Sequence, residues 1–216
     1  MKGLYAIVDV DFLLQRAVEP LPFAAAVLAA RPAAVQVRAK SSGARDTLAL
    51  LRAVQARAAG LGVPVFANDR PDLALLAGCA GVHLGQADLS LADARRLGPA
   101  LALGVSTHGL GQLDDVLARA PAERPAYVAF GPVFHTSSKR DPEPVVGLEA
   151  LVEASRRCRA ARVPLLAIGG LSLGRAPEVA AFADLGAVIS ALLPEEGLGG
   201  VTRAARDLHA ALGGAG

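Results

Sequence analysis

Cysteine is scarce in this sequence, and tryptophan is absent. Only Cys79 and Cys158 stand among the 216 residues. Two thiols without metal-ligand spacing supply neither a disulfide framework nor a zinc site. We therefore expect a protein of the reducing cytoplasm.

The chain also lacks an excess of charge of one sign and lacks long apolar segments. Its 22 basic and 20 acidic residues give a formal net charge of +2, and their mixed distribution argues against nucleic-acid or membrane partners. The apolar N-terminal stretch is interrupted by Asp9 and Asp11, so it is too short for a secretion signal or a membrane span. A small anionic substrate fits this balance, and a homo-oligomer stays open.

What the chain does contain is a regular alternation of short apolar runs with segments of helical spacing. Strands buried on both faces by helices appear as continuous apolar runs. Eight such units predict an α/β protein, a (β/α)8 TIM barrel in one domain over residues 1–216, with a disordered tail at about 211–216. A doubly wound open sheet is the alternative, but no Gly-x-Gly-x-x-Gly follows the first run. The runs are 4–8, 33–37, 63–67, 81–84, 101–105, 126–130, 163–168 and 183–189.

Polar side chains follow these runs, at the strand ends where a barrel builds its active site. Asp69 and Asp88 each come just after a run, and Mg²⁺ prefers a pair of carboxylates completed by substrate phosphate oxygens. Arg38, Lys40 and Lys139 supply the positive charge that a diphosphate requires. Taken singly, each cation is more often an exposed surface charge. Together they predict a metal-dependent phosphate site.

A second phosphate site is predicted after the seventh run. Gly169 and Gly170 allow backbone amides to approach an anion there, although a glycine pair alone is more often an ordinary turn. Hydroxyl donors to the same or a neighbouring anion would come from Thr136, Ser137 and Ser138.

The histidines and serines show no triad arrangement for acyl transfer. His83 lies within an apolar run, so we interpret it as a core or site-lining group rather than a ligand or base.

Nine short blocks follow one another in a fixed order between Leu4 and Leu192. They are residues 4–9, 36–40, 68–70, 81–88, 104–108, 131–134, 136–139, 167–170 and 188–191. These blocks resemble those of the thiamine-phosphate synthase family. The chain departs from the family pattern at Ala39, where Glu is usual, at His135, where Pro is common, and at 184–187.

The resemblance implies a barrel transferase with Mg²⁺ as cofactor. Such an enzyme joins 4-amino-2-methyl-5-hydroxymethylpyrimidine diphosphate to thiazole phosphate, giving thiamine phosphate and diphosphate by a dissociative substitution. It implies Asp69 and Asp88 as metal residues and Ser106 and Lys139 as catalytic residues. The pyrimidine diphosphate would be bound by Gln36, Val37, Arg38, Ala39, Lys40, Asn68, Ser106 and Lys139. The thiazole phosphate would be bound by Thr136, Ser137, Ser138, Gly169, Gly170, Ile189 and Ser190.

Two other functions stay open on this sequence. One is a thiazole tautomerase-like paralogue, which shares the barrel but should not need the full set of cations and carboxylates. The other is a non-catalytic phosphate-binding barrel, since a fold does not fix a function.

Overall fold

The computed structural model describes residues 1–136 and 143–215 and shows a closed barrel of eight parallel strands. Each strand pairs with the next in chain order, and β8 pairs with β1. The predicted barrel is confirmed. The first and last residue of every strand lie within two residues of the predicted ones. The strands are β1 (Gly3–Asp9), β2 (Ala34–Arg38), β3 (Val65–Asn68), β4 (Gly81–Leu84), β5 (Ala102–Thr107), β6 (Tyr127–Phe130), β7 (Leu165–Ile168) and β8 (Leu185–Val188).

Helices alternate with the strands and cover the outside of the barrel. The first, α1 (Val10–Leu14), was not predicted; it is one turn long and begins because the Asp9 carboxylate accepts a hydrogen bond from the Phe12 amide at 3.1 Å. Further helices are α2 (Pro20–Leu28), α3 (Ala44–Ala59), α4 (Pro71–Ala77), α5 (Leu91–Leu97), α6 (Leu110–Leu117), α7 (Gly147–Ala161), α8 (Ala176–Ala180) and α9 (Leu198–Ala211), with short 3₁₀ turns at Pro121–Glu123 and Ser190–Leu192. Among the helices in the described ranges, none is both long enough and apolar enough to cross a bilayer.

The apolar core has two layers, because side chains of a strand alternate between the barrel interior and the surrounding helices. The outer layer joins strands to helices and includes Val8 and Val37. The inner layer is centred on the rings of Tyr5, Phe66 and Tyr127, whose centroids lie 5.6 to 5.7 Å apart. These rings fill the middle of the barrel.

A glycine in β5 makes room for one of these rings. A Cβ atom at Gly104 would lie 2.1 Å from Cζ of Tyr127, well inside contact distance. With the middle of the barrel filled by aromatic rings, space for a ligand remains at the carboxyl ends of the strands.

The amino end of the barrel is closed by α9 and the residues after it. The Leu4 amide donates a hydrogen bond of 3.1 Å to Nδ1 of His209, and the Gly214 amide donates to the His209 carbonyl at 2.9 Å. Leu212 is buried in the outer layer. This end of the barrel is therefore packed, and the opposite end carries the polar side chains.

Candidate active site

One cavity lies at the carboxyl ends of β2 to β5 and has a volume of about 670 Å³, including its opening to solvent. It is lined by both predicted metal residues. It is also lined by the residues predicted for the pyrimidine diphosphate that the structure describes, except two of them. The lining comprises Gln36, Arg38, Lys40, Asn68, Asp69, Asp88 and Ser106, with Ile7, His83, Gly85, His108, Ile168 and Ile189. Residues far apart in sequence meet here because consecutive parallel strands end at the same rim.

The two exceptions are Val37 and Ala39, which do not line this cavity. Val37 is buried in the layer between barrel and helices, because it alternates with Gln36 and Arg38 along β2. Ala39 follows the strand on the same side as Val37 and is half-buried.

Each cationic side chain of this cavity is paired with a carboxylate, and a third carboxylate holds the Lys40 backbone. Nη1 of Arg38 donates a hydrogen bond of 2.7 Å to Oδ2 of Asp9, and the Lys40 amide donates to Oδ2 of Asp11 at 3.2 Å. Nζ of Lys40 also forms an ion pair with Asp69. Asp9 thus holds the Arg38 guanidinium, and Asp69 holds the Lys40 ammonium, at the rim of the cavity.

Asp69 has a backbone conformation that is uncommon for a residue with a side chain. Its φ is +64°, in the left-handed region that Asp tolerates better than most residues. Its amide donates a hydrogen bond of 2.8 Å to the His83 carbonyl at the end of β4. Residues in such conformations cluster at functional sites, and here the conformation places the carboxylate at the cavity.

Asp88 is held by a tight turn after β4. Its Oδ2 accepts a hydrogen bond of 2.7 Å from the Gly85 amide. A Cβ atom at position 85 would lie 2.9 Å from that same oxygen, so glycine permits the close approach. Burial, followed by the hydrogen bond with Asp88, raises the pKa of Asp69, while Lys40 opposes this rise.

The two carboxylates are suited to a Mg²⁺ ion. They lie close enough to interact, and their mutual repulsion is reduced only in part by Lys40. Within the described ranges, no group of three or more His, Cys, Asp or Glu residues could hold a metal ion. Mg²⁺ is commonly bound through one or two carboxylates, with water and substrate phosphates completing its shell. The donor set fits that kind of ion better than one that requires an all-protein cage.

A second cavity lies against the ends of β6, β7 and β8 and has a volume of about 840 Å³, including its opening. It contains every described residue that was predicted for the thiazole phosphate, namely Thr136, Gly169, Gly170, Ile189 and Ser190. Ser137 and Ser138, predicted for the same phosphate, and Lys139, predicted for the pyrimidine diphosphate, lie outside the described residues.

The turn after β7 depends on glycine. Gly169 and Gly170 have φ values of +102° and +63°, and a Cβ at position 169 would lie 2.4 Å from Cβ of Pro132. The Gly169 carbonyl accepts a hydrogen bond of 3.1 Å from the Phe134 amide. This turn therefore brings its backbone against the β6 loop and lines the second cavity without side chains.

The two cavities share a wall. Ser106, His108, Ile168 and Ile189 line both of them. Nδ1 of His108 is 2.9 Å from the Gly131 carbonyl, which fixes the ring at this wall. Molecules bound in the two cavities would meet beside these four residues.

Sequence analysis assigned no site role to Asp9 or His108. Asp9 is the last residue of β1 and directly follows the first apolar run, so the strand-end rule would have identified it. His108 lies two positions after Ser106, just past the end of β5, so strand alternation places both residues on one side. That alternation was the available signal for His108.

The protein is a (β/α)8 barrel with its candidate active site at the carboxyl ends of the strands. A sequence profile described as thiamine monophosphate synthase matches residues 4–192. The chain is 41% identical to the thiamine-phosphate synthase of Anaeromyxobacter dehalogenans over 88% of this chain and 78% of that one. It is 42% identical to that of Koribacter versatilis over 88% of each chain.

A solved structure shows the same likeness. The thiamine phosphate pyrophosphorylase from Pyrococcus furiosus superposes with a TM-score of 0.82 at 26% identity, covering 97% of this chain and 95% of that one. The chain belongs to the thiamine monophosphate synthase family, and it is a transferase.

Proposed function

We propose that this protein joins 4-amino-2-methyl-5-hydroxymethylpyrimidine diphosphate to thiazole phosphate, giving thiamine phosphate and diphosphate. Family membership supports this reaction. The observation that carries it is the shared wall of the two cavities, because a reaction that joins two phosphorylated molecules needs two adjoining sites.

The first cavity suits the pyrimidine diphosphate. Arg38 offers a planar fork to phosphate oxygens, and Lys40 offers a mobile charge. Nε2 of Gln36 donates a hydrogen bond of 2.7 Å to Oδ1 of Asn68, so each amide limits the orientation of the other. Mg²⁺, when held by Asp69 and Asp88, would neutralise negative charge on the departing diphosphate.

The second cavity suits the thiazole phosphate. The Gly169–Gly170 turn and the 3₁₀ turn at Ser190–Leu192 follow the seventh and eighth strands, which is the usual phosphate-binding region of this fold. Thr136 and Ser190 add hydroxyl groups at the cavity wall. Ile189 supplies an apolar surface for the thiazole ring.

The proposed reaction is a dissociative substitution, as the family resemblance implies. Diphosphate leaves the pyrimidine methylene carbon, and the thiazole nitrogen then forms the new carbon–nitrogen bond. The residues of the two cavities position the substrates and stabilise the leaving charge. Ile168 and Ile189 at the shared wall would limit the access of water to the cationic carbon, while Ser106 and Lys139 would act on the diphosphate.

An omission assay tests this proposal. Purified protein is incubated with both substrates and Mg²⁺, and then with each component left out in turn. We expect thiamine phosphate only in the complete mixture. Isomerisation of the thiazole without the pyrimidine would instead indicate a tautomerase, and binding of both substrates without turnover would indicate a non-catalytic barrel.

A further inference from the structure

Four side chains form a continuous hydrogen-bond chain from the middle of the barrel to the shared wall of the cavities. The hydroxyl groups of Tyr5 and Tyr127 are 2.7 Å apart, and the Tyr127 hydroxyl is 3.0 Å from Nδ1 of His83. Nε2 of His83 is 2.9 Å from Oγ of Ser106. Tyr5, Tyr127 and His83 are all buried, whereas Ser106 lines both cavities.

Both phenols keep their protons in this environment. Burial is the largest cause that raises the pKa of Tyr5 and of Tyr127. Each hydroxyl therefore carries one hydrogen that requires an acceptor, because a buried donor without a partner has lost its hydration with nothing to replace it.

This requirement fixes which group donates and which accepts at every step of the hydrogen-bond chain. In the described part of the protein, the Tyr5 hydroxyl has Tyr127 as its hydrogen-bond partner and ends the chain. If Tyr127 donated to Tyr5, the Tyr5 hydrogen would be left without an acceptor. Tyr5 must therefore donate to Tyr127, and Tyr127 must donate to Nδ1 of His83.

The same order of donor and acceptor continues through the His83 imidazole to Ser106. Nδ1 of His83 accepts, so the proton of the neutral ring sits on Nε2 and is donated to Oγ of Ser106. A doubly protonated ring would donate from Nδ1 to the Tyr127 oxygen, and the hydrogen of either Tyr5 or Tyr127 would then lack an acceptor. Because Oγ of Ser106 already accepts from His83, its own hydrogen is free to point toward a ligand.

We propose that Tyr5, Tyr127 and His83 are positioning residues that orient Ser106 as a hydrogen-bond donor at the wall shared by the two cavities. The role in turnover rests on the proposed function. Ser106 donates to an acceptor atom of the bound pyrimidine diphosphate, a phosphate oxygen or an unprotonated ring nitrogen. Successive hydrogen bonds in one direction polarise one another, so the chain also strengthens Ser106 as a donor.

The tautomer of His83 tests the direction without any need for activity. Nitrogen-15 NMR of the full-length protein with labelled histidine distinguishes a protonated from an unprotonated ring nitrogen, and His83→Gln assigns the signals. We expect Nε2 of His83 to be protonated and Nδ1 to be unprotonated. In Tyr5→Phe the Tyr127 hydroxyl still has Nδ1 of His83 as its acceptor, so the same tautomer is expected. In Tyr127→Phe the donor to Nδ1 is removed, so a mixture of tautomers is expected. A wild-type His83 protonated on Nδ1 would overturn the inference.

Kinetics test the link to Ser106. Tyr5→Phe and Tyr127→Phe are measured in the wild-type and in the Ser106→Ala background, with Phe66→Leu as a packing control. We expect Tyr127→Phe to lower kcat about fivefold, because the loss of one hydrogen bond, about 1 kcal/mol, corresponds to about that factor. In the Ser106→Ala background the same change should have little effect, whereas Phe66→Leu should lower Tm more than it lowers kcat in either background.

An equal loss of kcat from Tyr127→Phe in both backgrounds would overturn the positioning role, because it would show a purely structural effect. If the wild-type protein forms no thiamine phosphate, the proposed function fails, and the NMR result still decides the direction of the hydrogen-bond chain.

Discussion

The Arg38 guanidinium donates a hydrogen bond of 2.7 Å from Nη1 to Oδ2 of Asp9. Asp9 is 2% exposed and ends β1, while Arg38 ends the neighbouring β2. The other oxygen of Asp9 caps α1 through the Phe12 amide. One carboxylate therefore fixes both the first helix and the cation that we assign to the diphosphate.

Asp9→Asn is expected to weaken binding of the pyrimidine diphosphate. The amide oxygen can still cap α1, but its NH₂ group cannot accept from Arg38, so the guanidinium loses its fixed orientation. A hydrogen bond to a charged group contributes about 1.5–3 kcal/mol, so kcat/KM for the pyrimidine should fall by roughly 10- to 100-fold. Steady-state kinetics with saturating thiazole phosphate measure this.

Asp114→Asn is the matched control for that variant. Asp114 pairs with Arg157 on the helices outside the barrel and is 55% exposed, and such exposed pairs contribute little. Its kinetics should equal those of the wild type. An unchanged kcat/KM in Asp9→Asn would show that Arg38 does not depend on Asp9.

Asp69→Asn and Asp88→Asn are expected to raise the Mg²⁺ concentration needed for half-maximal turnover by tenfold or more, about 1.4 kcal/mol of binding free energy. Each change removes one of two carboxylates available to the ion. Titration of activity with Mg²⁺ measures it, and Asp72→Asn, an exposed carboxylate on α4, serves as the control. Identical Mg²⁺ dependence in all three variants and the wild type would reject the metal assignment.

Thermal unfolding without Mg²⁺ separates lost metal binding from misfolding in Asp69→Asn. The pKa of Asp69 is raised by burial and then by Asp88. A carboxyl with a raised pKa in the folded state destabilises the fold at pH values where it is ionised. The Tm of Asp69→Asn near neutral pH should therefore equal or exceed that of the wild type, and a large fall would contradict this explanation.

Gly169→Ala is expected to raise KM for the thiazole phosphate while leaving KM for the pyrimidine nearly unchanged. The left-handed φ of +102° and the approach of Pro132 to 2.4 Å leave no room for a methyl group, so the turn must shift at a cost of about 1–3 kcal/mol. Gly174→Ala is the control in the same loop, where a Cβ meets no atom within 4 Å. Equal KM values in the two variants would argue against a phosphate at this turn.

Gly104→Ala is expected to destabilise the barrel by about 1–3 kcal/mol through overpacking. Its Cβ would lie 2.1 Å from the Tyr127 ring, which is buried and cannot move outward. Gly111→Ala, in α6 with open space around it, should be neutral or slightly stabilising. Chemical denaturation measures both, and equal stability would contradict the packing described for the inner layer.

The barrel was predictable because its strands are buried on both faces and so appear as continuous apolar runs. The α1 helix was not predictable in the same way. It has five residues and begins through the Asp9 cap, so it has too few turns to show a helical period.

The site was predictable where one side chain follows one strand, as for Asp69, Asp88 and Arg38. The hydrogen-bond chain was not, because Tyr5 and Tyr127 are 122 positions apart and meet only through barrel closure. His83 was interpreted as a core or site-lining group, and in the structure it is both buried and part of the lining of the first cavity. Its hydrogen-bond partners were not predictable, because they come from other strands of the barrel.

The central claim is that the two adjoining cavities bind two phosphorylated substrates and join them. Phosphorus-31 NMR of one reaction mixture measures thiamine phosphate and diphosphate together as they form. We predict that the two products appear in equal amounts, at equal rates, and only with both substrates and Mg²⁺ present. Release of diphosphate from the pyrimidine without an equal amount of thiamine phosphate would contradict the claim.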